Sequence, residues 1–423
     1  MLMEKEIALV FSYHQHHRYS FNSLAGALET AGIFSLVKLY FIPREEEMVS
    51  ALSSVLNAHE KVVVGISFFS TQILEVNTLM KILQEHFGQR PLYIAGGPHP
   101  TGDPLGTLNM GFDIVVRGEG EETLIELLKR ISSGEDYRTV KGIAFINDDG
   151  NYYVTGIRSP HSLDRYPPFA VTYKKVGPVE ITRGCSFRCA FCQTPYLFGR
   201  EVRHRSIENI CHIVEVMKGR NLSVIRFITP SAFSYGSEDG KAVNVTVLGE
   251  LLSALKKIIS SHGRIFLGSF PSEVRPEHVT RDTVNLVLKY ADNDNLVIGA
   301  QSGSQRILDS CHRGHTVSDI YHAVELTIAS GLKANVDFIF GLPGEQEEDV
   351  QQTVGVINDL VKRGARIHAH TFMPLPQTPF ARSPAGKIPR EIKKMLRGLL
   401  HKGAVFGDWM KQERIARTME DIQ

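Results

Sequence analysis

The chain is poor in cysteine, almost without tryptophan and nearly uncharged overall, and each shortage closes off a class of protein. Its 423 residues hold five cysteines and one tryptophan. Five is too few, and odd, for the disulfide framework of secreted domains, so a reducing, cytoplasmic setting is expected. The 47 Lys and Arg against 46 Asp and Glu leave a formal charge of +1. A chain so balanced lacks the broad basic face that grips nucleic acid or acidic membrane. No apolar run nears the roughly 20 residues of a membrane-spanning helix. The opening "MLMEKEIALV" has neither the basic start nor the small-residue cleavage site of a signal peptide. No nucleic acid and no membrane are expected as partners. Internal repeats and low-complexity tracts are also missing.

Apolar sequence is plentiful, at 43%, and it is cut into short runs. "IALVFSY" (7–13), "SLVKLYFI" (35–42), "KVVVGISFFS" (61–70), "PLYIAGG" (91–97) and "DIVVRGEG" (113–120) alternate with helical patterns. Continuous β-branched strands separated by helices predict a parallel sheet covered on both faces. The texture changes at "GIAFINDDGNYYVTG", which reads as a hairpin, and at the Pro-rich "SPHSLDRYPPF". Strand–helix units then resume, with strands expected near 179–185, 224–229, 264–270, 296–302, 333–344 and 367–374. The expected fold class is α/β. A Rossmann-like parallel sheet spans 1–150, a connector 151–178, a partial βα (TIM-like) barrel 179–384 and a helical C-terminal region 385–423. Trp409, in that last region, is expected to pack rather than bind.

"TRGCSFRCAFCQ" (182–193) crowds Cys185, Cys189 and Cys192 just past the first barrel strand, where barrel chemistry belongs. Structural zinc usually takes four ligands, and no second pair exists here. Cys211 falls in a helical pattern and is expected as a core thiol; Cys311 is expected in a loop. Three thiolates around a cubane leave one iron open. The Cx3Cx2C spacing, with Phe191 before the last cysteine and "QTPYLFGR" after it, resembles the radical S-adenosylmethionine signature. That resemblance implies a 4Fe–4S cluster on the three cysteines, with S-adenosylmethionine chelating the fourth iron. Other segments are similar to the same family. "VIGAQSGSQRILDSCHRGH" (297–315) resembles its adenosine-side strand, with Gln301 where Glu is usual, and "DFIFGLPGEQEEDV" (337–350) resembles its sixth-strand region. In "FITPSAF" (227–233), Thr229 or Ser231 stands in for missing glycines. In "GSFPSEVRP" (268–276), Ser269, Glu273 and Arg275 are candidates for the ribose and carboxylate.

The first domain resembles the cobalamin-binding domain found upstream of many such barrels. Its Ser67-Phe68-Phe69 triplet precedes Gly96-Gly97 with residues 70–95 between, and Gly118, Glu119 and Gly120 open the next helix. Small residues at these points let a nucleotide tail pass between strands. The family's Asp-x-His-x-x-Gly loop is absent, and Asn22 stands at the histidine position. His14, His16 and His17 lie nearby, but histidines in polar loops are ordinarily solvated, so no histidine–cobalt bond is expected.

Together the halves resemble cobalamin-dependent radical S-adenosylmethionine methyltransferases. The resemblance implies three cofactors: a 4Fe–4S cluster, S-adenosylmethionine and cobalamin, fed by an electron donor. It implies hydrogen removal from an unactivated carbon by a radical made from one S-adenosylmethionine. Methylcobalamin would supply the methyl group, and a second S-adenosylmethionine would restore it. The whole-chain pattern looks like a group found in methanogenic archaea, which implies a protein or peptide substrate. The active-site glutamine of methyl-coenzyme M reductase is the sharpest candidate. Two alternatives stay open: a cyclase or oxidative enzyme with the same cofactors, and a cobalamin-binding sensor with a vestigial barrel. A methylthiotransferase would want a second cysteine trio, which Cys211 and Cys311 cannot supply. No catalytic acid or base is named by the pattern, and whether Tyr13, Tyr173 or Tyr196 reaches the active cavity is left to the structure.

Overall fold

Strands that are apolar at every position have to bury both faces. Every residue of Ile7–Ser12 (β1) is buried, with Ile7, Leu9 and Phe11 in one core and Ala8 and Val10 in another. The computed structural model describes residues 6–15, 17–260 and 263–420. It divides into two units, Met1–Gly177 with Tyr196–Phe198, and Pro178–Pro195 with Gly199–Gln423.

In the first unit, Val37–Ile42 (β2), Lys61–Ser67 (β3), Leu92–Gly96 (β4) and Ile114–Val116 (β5) join β1 in a parallel sheet of order β2-β1-β3-β4-β5. Helices Arg18–Thr30 and Glu121–Ser133 cover the Phe11 face, and Met48–Ala58 and Ile73–Phe87 cover the Val10 face. The strand order reverses between β1 and β3, so the crevice beyond their carboxyl ends is where such sheets bind ligands. Two antiparallel strands, Ile143–Ile146 (β6) and Tyr152–Val154 (β7), finish the sheet. The segment expected as a connector therefore belongs largely to this unit. Its Phe169 and Ala170 are buried. The Val171 and Tyr173 backbone N–H groups donate to the Glu29 carboxylate at 2.9 and 3.1 Å.

The second unit starts with Val179–Glu180 (β8) and an antiparallel pair, Thr182–Arg183 (β9) and Arg203–His204 (β10). Val224–Ile228 (β11) and Arg264–Phe266 (β12) extend β8 into the parallel order β8-β11-β12. Asn295–Gln301 (β13), Lys333–Phe340 (β14), Arg366–Thr371 (β15) and Val405–Phe406 (β16) form a second parallel sheet. A parallel bridge pairs Val274, in the segment after β12, with Ile298 of β13. The C-terminal region is not purely helical: β16 lies between helices Arg390–His401 and Trp409–Glu420. Helices of this unit begin where the sequence supplies caps. Ser206, Asn244, Thr280, Ser304 and Thr316 each accept a backbone N–H from the third residue on, and each such cap is worth about 1 kcal/mol. Alternation in β14 sends Ala334, Val336, Phe338 and Phe340 into the core. Asn335, Asp337 and Ile339 turn to the other face, where Asp337 pairs in register with His368 and Ile339 with His370. Among the described residues no helix is long and apolar enough to cross a membrane.

Trp409 is buried in the second unit, so its fluorescence reports that unit, while far-UV circular dichroism reports both. Phe11 is fully buried with its ring 4.6 Å from that of Phe21. Phe11→Ala should destabilise the first unit by about 3–5 kcal/mol. In a urea titration the dichroism midpoint should fall while the tryptophan midpoint stays; a shared shift would show that the units unfold as one.

Candidate active site

The cysteine loop is fixed by backbone before its side chains matter. Gly184 has φ +87°, and a Cβ there would lie 2.2 Å from the Glu201 carbonyl oxygen, so only glycine fits. The Cys185 N–H donates to Gly199 O at 3.2 Å, Ala190 N–H to Cys311 O at 3.0 Å, and Phe380 N–H to Ala190 O at 3.2 Å. Behind the loop, Arg183 grips both oxygens of Glu180 at 2.9 and 2.7 Å. The fully buried Arg205 donates to Glu180 O at 2.9 Å and Asn209 Oδ1 at 2.8 Å. A loop stapled at this many points presents its thiols in one arrangement.

Cys189 is buried and Cys185 and Cys192 are half-buried. Burial pushes the Cys185 thiol up to about 11 and raises that of Cys192 as well. Among the described residues, Asp337/His368/His370 and Glu119/Glu121/His161 each bring three ligand atoms within 4.8 Å of one another, and the three thiols do not. Zinc–sulfur bonds of about 2.3 Å would need thiolates about 3.8 Å apart. At least one pair of the three thiols lies farther apart than that, so they do not close on a single zinc ion. Arg313, itself buried, donates from Nη1 to Cys189 Sγ at 3.3 Å and from Nη2 to Gly299 O at 2.7 Å.

The other expected residues of this unit converge in part. A Cβ on Gly299 would lie 2.9 Å from Gln301 Nε2, 3.1 Å from Glu273 Oε2 and 3.2 Å from Arg313 Nη2, so three polar tips meet there. Gln301 is buried at φ +74°, where the pairing of β13 with β14 shifts register. Burial and then the neighbouring Asp337 carboxyl raise the Glu273 carboxyl, against the pull of Arg313 and Arg275. Ser231 is buried with its Oγ 3.4 Å from His278 Nδ1, and Thr229 Oγ1 donates to Ser231 O at 3.1 Å. Ser269 Oγ is buried without a hydrogen-bond partner among the described residues, as suits a group placed for a ligand. Arg275 is already engaged: its guanidinium lies 3.6 Å over the Phe187 ring and hydrogen-bonds Glu277 and Arg313 O. Phe191 packs beside Ile307, Cys311, Leu342 and Phe372. The two remaining cysteines sit in the expected elements, Cys211 within helix Ile207–Lys218 and Cys311 in the turn after Gln305–Ser310, but their burial is reversed. Cys311 is the core thiol, because the short helix Gln305–Ser310 turns it inward, while Cys211 is partly exposed.

In the first unit Ser67 is buried at the end of β3. Gly97, at φ +95°, would bring a Cβ within 2.7 Å of Ser67 Oγ. The Phe68 N–H donates to Gly96 O at 3.2 Å, so triplet and glycine pair are joined directly. Phe68 stacks on His99, whose Nδ1 meets Ser70 Oγ at 2.9 Å. The Gly118 N–H donates to Thr101 Oγ1 at 3.0 Å. Glu119 approaches His161 at 3.3 Å, and Gly120 is the N-cap of Glu121–Ser133. Those small residues without competing side chains are what a nucleotide tail needs. Asn22 is buried and accepts from Tyr13 OH at 2.7 Å, which engages both in structure. His14 stands 3.8 Å from Glu45, and His17 is buried with its ring stacked on that of Phe69; His16 lies outside the described residues. Tyr173 packs against the first unit's core, and Tyr196 is exposed.

Sequence reasoning passed over Arg313, Asp337, His368 and His370. The signal was present: "IHAHT" puts two histidines on one face of a strand, and an Asp interrupts "KANVDFIF", otherwise largely apolar at its centre.

Residues 179–357 match the Radical SAM superfamily, and residues 6–128 match the B12 binding domain. A tRNA-2-methylthio-N(6)-dimethylallyladenosine synthase of Moorella thermoacetica is 33% identical over 223 residues, 51% of this chain and 47% of that protein. The chain thus spans about half the length of that relative. An uncharacterized methyltransferase of Pyrococcus horikoshii is 25% identical over 327 residues, 73% of this chain and 67% of that protein. Among solved structures, the radical S-adenosylmethionine methyltransferase TsrM from Kitasatospora setae, with cobalamin and a 4Fe–4S cluster bound, gives a TM-score of 0.70 at 17% identity over 89% of this chain and 77% of that one. The cobalamin-dependent S-adenosylmethionine radical enzyme OxsB with aqua-cobalamin bound gives 0.65 at 16% identity, over 94% and 62%. Both share the fold.

Gly184→Ala should abolish cluster loading without unfolding the chain, because a left-handed alanine costs about 1–2 kcal/mol before its clash is counted. Iron and labile sulfide should fall to a small fraction of wild type, while Trp409 fluorescence keeps its native maximum. Iodoacetamide at pH 8 on cluster-loaded protein should modify Cys211 and spare Cys311, whose thiol burial pushes up to about 12. Peptide mass spectrometry reads both sites; equal labelling would place Cys311 outside the core.

Proposed function

The chain joins a B12-binding domain to a radical SAM domain, and from that premise we propose that it is a C-methyltransferase acting on an unactivated carbon of a protein or peptide. The first domain takes cobalamin and the second a 4Fe–4S cluster with S-adenosylmethionine, and together these supply a hydrogen-abstracting radical and a methyl group. The chain's residues hold and shield them. Cys185, Cys189 and Cys192 bind the cluster, and Arg313 offsets its negative charge. Gln301, Glu273, Ser231 and Ser269 line the S-adenosylmethionine side. Ser67, Gly96 and Gly97, with Gly118, Glu119 and Gly120, admit the cobalamin tail.

One observation carries this reading: a single chain keeps both a stapled three-thiol loop and the Ser67–Gly97 junction that only a small residue permits. TsrM, whose fold is shared, is named a methyltransferase. The proposed substrate is a glutamine side chain, with the active-site glutamine of methyl-coenzyme M reductase as the named candidate. Its support is the whole-chain resemblance to the methanogen group and the balanced charge, which fits a protein partner better than a nucleic acid. A separate reductant is the other partner proposed. The relatives named for tRNA methylthiolation do not carry their activity here, since only Cys211 and Cys311 remain for a second cluster. OxsB, named only as a radical enzyme, aligns over 94% of this chain and keeps a cyclase or oxidative reading as the second choice.

Anaerobic turnover of reconstituted protein with cobalamin, reductant, S-adenosylmethionine and a glutamine peptide separates these readings. Matched 5′-deoxyadenosine and S-adenosylhomocysteine with a one-methylene mass gain are expected. Deoxyadenosine alone would sink methyl transfer in favour of the second reading. Turnover undiminished after any of the three cysteines is changed to serine would overturn the radical chemistry altogether.

A further inference from the structure

The formal charge of +1 on the whole chain hides a local excess. Residues 382–420 hold ten Lys and Arg against four Asp and Glu. Two of these cations sit in ion pairs, Lys393 at 2.8 Å and Arg417 at 3.4 Å, and both share the Glu413 carboxylate. Among the described residues the other eight are exposed and meet no carboxylate.

Their placement is ordered, and it opposes helix stability. In helix Arg390–His401 the residues Ile392, Leu396 and Leu399 are buried, and Arg390, Lys394 and Arg397 fall at i, i+4 and i+7 on the opposite side. Like charges at that spacing repel. Arg390 also opens the helix, where the dipole disfavours a cation, and its N-cap Pro389 supplies no side-chain bond. Helix Trp409–Glu420 repeats the pattern, with Lys411, Arg414 and Arg417 at steps of three. The Lys393–Glu413 pair joins the two helices. Leu400 lies two turns beyond Lys393 and Met410 one turn before Glu413, on the joined flanks, and these side chains are left 46% and 50% exposed. Unrelieved repulsion around open apolar groups is answered by a partner that brings negative charge and an apolar contact.

The chain leading into these helices identifies the partner. Gln193 Nε2 donates to Pro376 O at 3.0 Å and the Phe380 N–H to Ala190 O at 3.2 Å, so residues 376–380 lie against the cysteine loop. The same segment reaches Ile388, whose N–H donates to Glu413 Oε1 at 3.1 Å. One strap thus runs from the cysteine loop to the basic helices, and it carries two more exposed cations, Arg382 and Lys387. Single-stranded nucleic acid is held by cations together with aromatic platforms, whereas the exposed apolar groups of this face are aliphatic. We propose that the strap and the two helices form the docking surface for a small acidic protein that carries one electron at a time. The exchange moves one electron from the carrier's reduced centre to the cluster, and no bond forms or breaks. This assignment rests on the reading of Cys185, Cys189 and Cys192 as cluster ligands, and it gives the separate reductant a surface.

The test uses the reconstituted full chain with two acidic carriers as probes, a flavodoxin and a ferredoxin, each supplied reduced. Stopped-flow absorbance reads the bimolecular rate of cluster reduction, and interferometry reads carrier affinity. Wild type should accept electrons from at least one carrier, at a rate that falls about tenfold as salt shortens the screening length from about 10 to about 3 Å. Lys394→Glu with Arg397→Glu should lower both rate and affinity about tenfold at low salt and flatten the salt dependence. Iron content and the rate with dithionite, which needs no docking, should stay unchanged. That double reversal also relieves the repulsion on Arg390, so the thermal midpoint should hold or rise, which a merely structural role would not produce. The milder Lys394→Ala with Arg397→Ala should lose about threefold. Lys257→Glu with Lys289→Glu, exposed on other helices, should stay within about twofold of wild type. No reduction by either carrier, an unaltered rate after the Lys394 and Arg397 reversal, an equal loss in the Lys257 and Lys289 variant, or unfractionated tRNA that binds more tightly than both carriers would each overturn the proposal. A charge-dependent rate without a methyl gain leaves the docking surface standing and removes the methyltransferase reading; a methyl gain with a rate indifferent to the reversal does the opposite.

Discussion

A buried guanidinium holds the second unit's site together. Arg313 is 4% exposed, and a cation taken so far out of water costs several kcal/mol unless an anion meets it. The groups beside it are Cys189 Sγ, the Gly299 carbonyl and the Glu273 carboxyl. Burial drives Glu273 toward its neutral form; the Cys189 sulfur and the Glu277 carboxyl are the other groups that favour the Arg313 charge. Burial also favours the neutral thiol at Cys185 and Cys192. A bound metal reverses that preference, because coordinated thiols are deprotonated outright. The buried cation and the buried thiols are thus each awkward alone and consistent together once iron is bound.

The same economy of space governs the first unit. Where the parallel strand order reverses, the carboxyl ends of β1 and β3 open a crevice. Its floor is narrowed to glycine by contact: Gly97 sits against Ser67 Oγ and the Phe68 backbone. A long flexible group can lie along such a floor, whereas a side chain there would close it. His17 and Phe69 cover one side of this crevice with stacked rings, and the histidine is packed rather than projecting.

How much of this could be read from the sequence depended on whether the signal was local. The α/β class followed from runs such as "KVVVGISFFS", because burial on both faces leaves a strand no polar position. The cysteine loop followed from spacing, and Ser67 and Gly96-Gly97 followed from a pair of short motifs. What escaped notice depended on packing between distant segments. The 151–178 stretch looks like a connector by composition, but Phe169 and the Glu29 contacts tie it to a helix more than a hundred residues earlier. Cys311 does lie in a turn, but nothing local shows that the turn after Gln305–Ser310 is buried. Arg313 has no motif at all; its role comes from where Gly299 and Cys189 happen to be.

His368 and Asp337 show the difference most sharply. Either one alone is an ordinary polar residue in a strand, and a lone histidine on a strand is more often satisfied by its neighbours than used. Their meaning comes from the register of β14 on β15, which sets them side by side, and from Gln412, contributed by a helix beyond β16, whose amide nitrogen lies 3.3 Å from His370 Nδ1. A shift of one residue in that register would send both histidines to the helix-covered face. There a buried imidazole pair would be destabilising and useless to a ligand. The apolar residues of the alternate positions, Val336, Phe338, Ile367 and Ala369, hold the register by burying fully on that other face. The core therefore selects which polar groups the barrel interior presents.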